Sequence, residues 1–194
     1  MKQLSLTSPL FSARESSRSV PARILIGLAA TFVVAVAAHM AIPLWFTPVP
    51  LTLQPLAVLA VGLLLGPVDG ACVMLAYLAE GAAGLPVFAP TGVGGVAQLL
   101  GPSGGFLMAY PFVAFAAGSV SRAFTATPRF VAGAVAALAA SLVLFAGGAG
   151  WFAFLTHLPA SVVCSQTVLP FVPGGILNIL LAATAYRLAS SARS

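Results

Sequence analysis

From Ile24 to Ile42 the chain runs nineteen residues without an Asp, Glu, Lys or Arg. That is about the length of helix needed to cross the hydrocarbon core of a bilayer. Lipid offers no hydrogen-bond partners, so a spanning segment must be a helix or one strand of a closed barrel. A barrel strand alternates apolar and polar side chains, and this unbroken run does not. The rest of the sequence agrees. Of its 194 residues, 60% are hydrophobic and 6% charged, against about 25% charged in soluble domains. Too little polar surface is left to coat a water-facing globule. The sequence predicts an all-α integral membrane protein.

Proline and glycine punctuate six apolar segments: Arg23–Ile42, Thr52–Gly66, Val68–Ala83, Ser103–Ser121, Arg129–Gly147 and Pro159–Ala189. The second and third are short, about 24 Å of helix against a core of about 30 Å. Only Gly66-Pro67-Val68-Asp69-Gly70 divides them. Charge argues for the division. With six spans and both termini cytoplasmic, the inner pieces hold Lys2, Arg14, Arg18, Arg23, Arg122, Arg129, Arg187 and Arg193, which is every Lys and Arg in the chain. The outer loops, 43–51, 84–102 and 148–158, hold none. Fusing 52–83 into one span would move Arg122 and Arg129 outside, against the positive-inside bias. The net charge of +5 is therefore an orientation signal. No basic cluster interleaves with aromatics as a nucleic-acid surface would.

Residues 1–21, rich in Ser and Arg, are expected to form a disordered cytoplasmic tail, and residues 22–190 the six-helix membrane domain. Ala35-Val36-Ala37 resembles a signal-peptide cleavage site. The apolar run continues past it, so an uncleaved first helix is expected. Gly27, Thr31, Ala35 and Ala38 form a small-residue face that can pack inside the bundle or against a second subunit. Cys72 and Cys164 lie in separate apolar segments and read as small packing residues.

The outer loops are the unusual feature. Pro43 to Pro50 is stiff and aromatic, and 84–102 is nineteen residues containing Gly92, Gly94, Gly95 and Gly101. Irregular backbone of that length is usually functional, and near a membrane it survives where it lines a cavity or is covered by protein. Glu80, one helical turn after Tyr77, is an ionisable group inside a span and so a functional candidate; the plain alternative is a carboxylate reaching the outer interface. His39 and His157 each stand alone, which argues against a metal site. No phosphate loop of the form G-x-x-x-x-G-K-[ST] occurs, so the chain is not itself an ATPase motor. Gly101-Pro102-Ser103-Gly104 matches the G-x-S-G nucleophile motif of rhomboid-like intramembrane proteases, with His157 as the base. The simpler reading has Ser103 capping the fourth long helix.

Three stretches carry a family resemblance. Pro48-Val49-Pro50-Leu51-Thr52-Leu53-Gln54, followed by an apolar helix and Gly66-Pro67, is similar to the P-V-P-x-T-x-Q opening of the BioY family. Tyr77-Leu78 through Gly84-Leu85-Pro86-Val87-Phe88-Ala89, then Gly94-Gly95 and Gly101 to Phe106, resembles its central signature. Pro170-Phe171-Val172-Pro173-Gly174 matches the start of its last helix. The resemblance covers residues 23–189. It implies a biotin-specific S component of an energy-coupling-factor (ECF) transporter in the bacterial cytoplasmic membrane. It also implies a transmembrane coupling protein and ATPase subunits as partners, lipid around the bundle, no cofactor and no covalent chemistry.

The expected pocket takes Thr52 and Gln54 below the first loop and Tyr77 and Glu80 from the third span. Gly94, Gly95, Gln98, Ser103, Gly105 and Phe106 come from the long loop and the helix after it, and Asn178 from the last helix. Tyr77, Phe106 and Trp45 are candidates to cover an apolar ring. The family pattern continues P-G-D-x-x-K in the last helix, where this chain has Gly175 and Asn178. A ligand carboxylate then has no cationic partner here, which predicts weaker carboxylate recognition or tolerance of neutral biotin derivatives. The departure also leaves open another small vitamin-like ligand on the same fold.

Overall fold

Side-chain size sorts the surfaces of the helices. In the computed structural model, which describes residues 19–124 and 126–192, the interior is filled largely by alanine: Ala114, Ala117, Ala132, Ala136, Ala137, Ala140, Ala182 and Ala183 are all buried. Large apolar groups face outward instead, among them Leu25, Phe32, Phe112, Leu142 and Leu180. Lipid tails are as apolar as leucine, so burying leucine gains nothing, while small residues let backbones approach and gain dispersion. Gly62 shows the consequence. A Cβ there would lie 2.8 Å from the Cα of Ala114 on the facing helix.

Eight α-helices form among the described residues: α1 (Val20–His39), α2 (Gln54–Leu65), α3 (Pro67–Ala82), α4 (Gly95–Leu99), α5 (Gly104–Ala123), α6 (Arg129–Thr156), α7 (Ala160–Thr167) and α8 (Val172–Ser191). A two-residue antiparallel rung joins β1 (Ala41–Ile42) to β2 (Leu51–Thr52), pairing Ala41 with Thr52 and Ile42 with Leu51. The pair α5 and α6 forms the centre, with α2 and α3 against α5, α8 against α6 and α2, and α1 outermost on α2 and α3. Four helical stretches, Val20–His39, Gly104–Ala123, Arg129–Thr156 and Ala160–Ser191, are long and apolar enough to cross a bilayer. The protein is a multi-pass membrane protein.

Gly66 separates α2 from α3 as the sequence suggests, and at φ +91° it takes a conformation that side chains resist. Several other expectations need correction. The fifth segment does not stop at Gly147; α6 continues to Thr156, because its glycines are contact points: a Cβ at Gly147 would meet Ala109, and one at Gly148 the Phe106 ring. The sixth segment is not one helix, since Leu169–Phe171 forms a 3-10 turn between α7 and α8 where Pro170 cannot supply an N–H. The long loop contains α4. Cys72 and Cys164 are exposed rather than packed. Of the expected tail 1–21, residues 1–18 lie outside the described residues, and Val20 and Pro21 already belong to α1. The small face of α1 turns inward: Thr31, Ala35 and Ala38 are buried, and a Cβ at Gly27 would touch Val73.

Candidate ligand-binding site

Four pieces of chain meet at one end of the bundle. The first is the segment 47–55. Thr47 Oγ1 donates to the Gln166 carbonyl at 2.8 Å and accepts from the Val49 N–H at 3.2 Å, tying the loop to α7. The β1–β2 rung closes the loop beneath, and Pro55 near the start of α2 fits a helix that needs no N–H there. Gln54 is thereby placed at the head of α2. Its Nε2 donates to Tyr77 Oη at 2.7 Å, and that hydroxyl donates to the Val87 carbonyl at 2.6 Å. Gln54 Oε1 has no protein partner among the described residues.

The second piece is the long loop, knitted by one side chain. Gln98 on α4 donates from Nε2 to the Ala89 carbonyl at 3.3 Å and accepts the Gly94 N–H on Oε1 at 3.1 Å. Gly94 and Gly95, at φ +73° and +59°, supply the left-handed pair that reverses the chain into α4. The third piece is the start of α5, pressed against Leu99 and Trp151 at Gly104 and against Trp151 at Gly105. Trp151 Nε1 donates to the Gly101 carbonyl at 2.9 Å. Ser103 occupies the capping position but its hydroxyl makes no cap bond. The fourth piece is α8, which contributes the adjacent Gly174 and Gly175 and, about one turn later, Asn178.

Between these pieces and α6 lies a cavity that opens at this end of the bundle. Its wall is mostly apolar, with Leu51, Leu59, Phe106, Leu144, Phe145 and Phe171 contributing. The Phe106 and Phe171 rings sit 6.3 Å apart at 49°. Thr52, Ser103, Tyr110 and Asn178 also line it, and their side-chain polar atoms have no hydrogen-bond partner among the described residues. No buried polar side-chain atom is left unsatisfied there, so these groups face open space. No charged residue lines the cavity.

Thr52, Gln54, Gln98, Ser103, Phe106 and Asn178 all line this cavity. Tyr77 stands behind Gln54, fully buried and edge-on to Phe88 at 5.5 Å. Gly94 and Gly95 shape the loop, and Gly105 is a helix-packing contact. Glu80 faces α1, where its Oε1 accepts from Thr31 Oγ1 at 3.1 Å. Trp45 is 95% exposed and off the wall. Ser103 and His157 share no hydrogen bond; His157 ends α6 with its ring edge-on to Phe154. Sequence reading missed Tyr110, Ser141 and Phe145. Helical spacing was the available signal, since Ser103, Phe106 and Tyr110 follow an i, i+3, i+7 stripe, and Ser141, Leu144 and Phe145 an i, i+3, i+4 stripe.

A family profile described as the BioY family matches residues 8–194. The chain is similar to a probable biotin transporter BioY of Pyrococcus horikoshii, 35% identical over 84% of this chain and 93% of that one. It is also similar to the biotin transporter BioY of Rhodobacter capsulatus, 34% identical over 81% and 86%. Its fold resembles the crystal structure, at 2.1 Å, of the S-component for biotin from an ECF-type ABC transporter, with a TM-score of 0.78, 28% identity, and coverage of 87% of this chain and 90% of that one. With a profile match across nearly its whole length, this chain belongs to the BioY family.

Proposed function

We propose that this protein takes up biotin across the bacterial cytoplasmic membrane as the substrate-binding component of an ECF-type transporter. The observation that carries the reading is the cavity: mostly apolar, uncharged, and lined by Thr52, Ser103, Tyr110 and Asn178, whose polar groups lack partners among the described residues. Biotin has an apolar bicyclic body and a ureido group with two N–H donors and one carbonyl. Gln54 Oε1, Thr52, Ser103, Tyr110 and Asn178 can answer both kinds of group, and Phe106 and Phe171 offer faces to the ring.

In this reading six helices, α1, α2, α3, α5, α6 and α8, cross the membrane with both termini cytoplasmic. The charge placement supports it: Arg122 at the end of α5, Arg129 at the start of α6 and Arg187 near the end of α8 all fall at the end of the bundle opposite the cavity. The cavity then opens outward. A coupling protein and ATPase subunits would supply the energy, since this chain has no phosphate loop.

The valerate carboxylate of biotin finds no cation on the cavity wall. It is left to neutral donors such as Asn178 and Ser103 and to the start of α5. Neutral acceptance costs affinity compared with a charge-assisted bond, so biotin amide should bind nearly as well as biotin. Equilibrium binding of labelled biotin to the purified chain, with biotin amide as competitor, tests both statements. No saturable binding overturns the assignment. Strong preference for the free acid overturns only the neutral recognition of the carboxylate.

A further inference from the structure

Opposite the cavity, the ends of α2, α5, α6 and α8 leave an open cleft. Arg122 from the last turn of α5 and Arg129, the first residue of α6, both line it, together with Tyr186 and Ser190 from α8. Both arginines are exposed. Neither has an acidic partner among the described residues, whereas Arg23 is ion-paired with Asp69. Orientation bias accounts for cations at this end of the bundle. It does not account for two of them gathered on one cleft.

The other groups on this wall complete a set of donors. The Arg122 guanidinium lies so close over Gly66 that a Cβ there would run into it, so it rests on the turn between α2 and α3. The Tyr186 hydroxyl makes no hydrogen bond among the described residues and is free to donate. Ser121 and Ser190 already donate to the carbonyls of Gly118 and Tyr186, at 3.0 and 2.7 Å, and so offer lone pairs rather than protons. α6 starts behind Pro128 with no side-chain cap, adding the positive end of a helix dipole. Two guanidiniums and a phenol suit a phosphate, and among the described residues no carboxylate lines the cleft to repel one. Leu63, Leu64 and Leu65 line the same cleft, a surface that a free ion does not need and an acyl chain does.

We infer that this cleft binds a phosphate group, carried by an anionic phospholipid. Its place in the inner leaflet rests on the orientation proposed above; the phosphate site itself does not. The test titrates the delipidated full-length chain in neutral detergent with phosphatidylglycerol or phosphatidylcholine and reads bound lipid by native mass spectrometry. Phosphatidylglycerol should be retained selectively. Arg122→Gln and Arg129→Gln should each weaken it about fivefold, while Arg187→Gln, outside the cleft, leaves it unchanged. Biotin binding by the same variants shows that they are folded. Inorganic phosphate, added as competitor, separates the sources. Failure to displace the lipid assigns the headgroup, and displacement at concentrations similar to the lipid's own assigns a soluble phosphate to the same site. Equal retention of the two lipids, or unchanged phosphatidylglycerol retention in both arginine variants, overturns the inference.

Discussion

The two ends of the bundle are built from the same helices and hold opposite chemistry. α5 contributes Ser103, Phe106 and Tyr110 to the cavity at one end, and Ser121 and Arg122 to the cleft at the other. From Tyr110 to Arg122 is about 18 Å of helix. At the first end, polar groups are neutral, lie largely within the protein and await a partner. At the second, they are cationic and exposed. A charge buried without a partner is costly, and a neutral amide much less so, so a site that must stand empty between uptake cycles suits neutral groups. Guanidiniums in contact with water and headgroups carry no such cost.

Substitutions at one end should leave the other unmoved, and the comparison can be broken there. The largest effect is expected from Asn178→Leu, which should weaken biotin binding about ten- to a hundredfold through loss of a ligand hydrogen bond; titration calorimetry checks it. A change of less than threefold would mean that Asn178 does not touch the ligand. Asn178→Lys places a cation where the carboxylate has none, and should raise the ratio of biotin to biotin amide affinity about tenfold. Gln98→Leu cuts the bonds to Gly94 and Ala89 that shape one wall. Affinity should fall about fivefold, chiefly as faster release in stopped-flow measurements. The pair Arg122→Gln and Arg129→Gln should alter biotin affinity less than twofold, and a larger shift would couple the two ends. Smallest of all, Arg23→Gln removes a half-exposed ion pair with Asp69 and should cost at most about 1 kcal/mol of stability, read as a small drop in melting temperature with biotin binding intact.

Much of this was legible in the sequence wherever one residue type dictates the backbone. Gly66-Pro67 marks the break between α2 and α3 because only glycine tolerates that turn and proline favours a helix start. Gln54 and Asn178 stood out through the family resemblance, the one as a match to its opening motif and the other as a departure from its last-helix pattern. What escaped depends on neighbours distant in sequence. Gly147 and Gly148 look like a helix stop, yet the helix runs through them because α5 packs against that face. The five residues of α4 are too few to announce a helix, and the Gln98 side chain knits them to the loop before it. Tyr110 and Ser141 lie on apolar helices whose cavity-facing side shows only when α5 and α6 are set side by side. Glu80 read as a candidate for the pocket because depth was visible and direction was not.

The alanine face of α6 has a consequence for delivery. Between Arg129 and Ser141, some 18 Å of helix, residues Ala132, Gly133, Ala136, Ala137 and Ala140 are buried against neighbouring backbones. That stretch is a plug with no side chain long enough to swing aside and open a path. A solute held at Ser141 meets close backbone packing along this face of α6, which favours a passage that shifts whole helices together. The turnover rate then becomes a property of whatever machine moves them, and the stiffness of this seam sets how much work that machine must do.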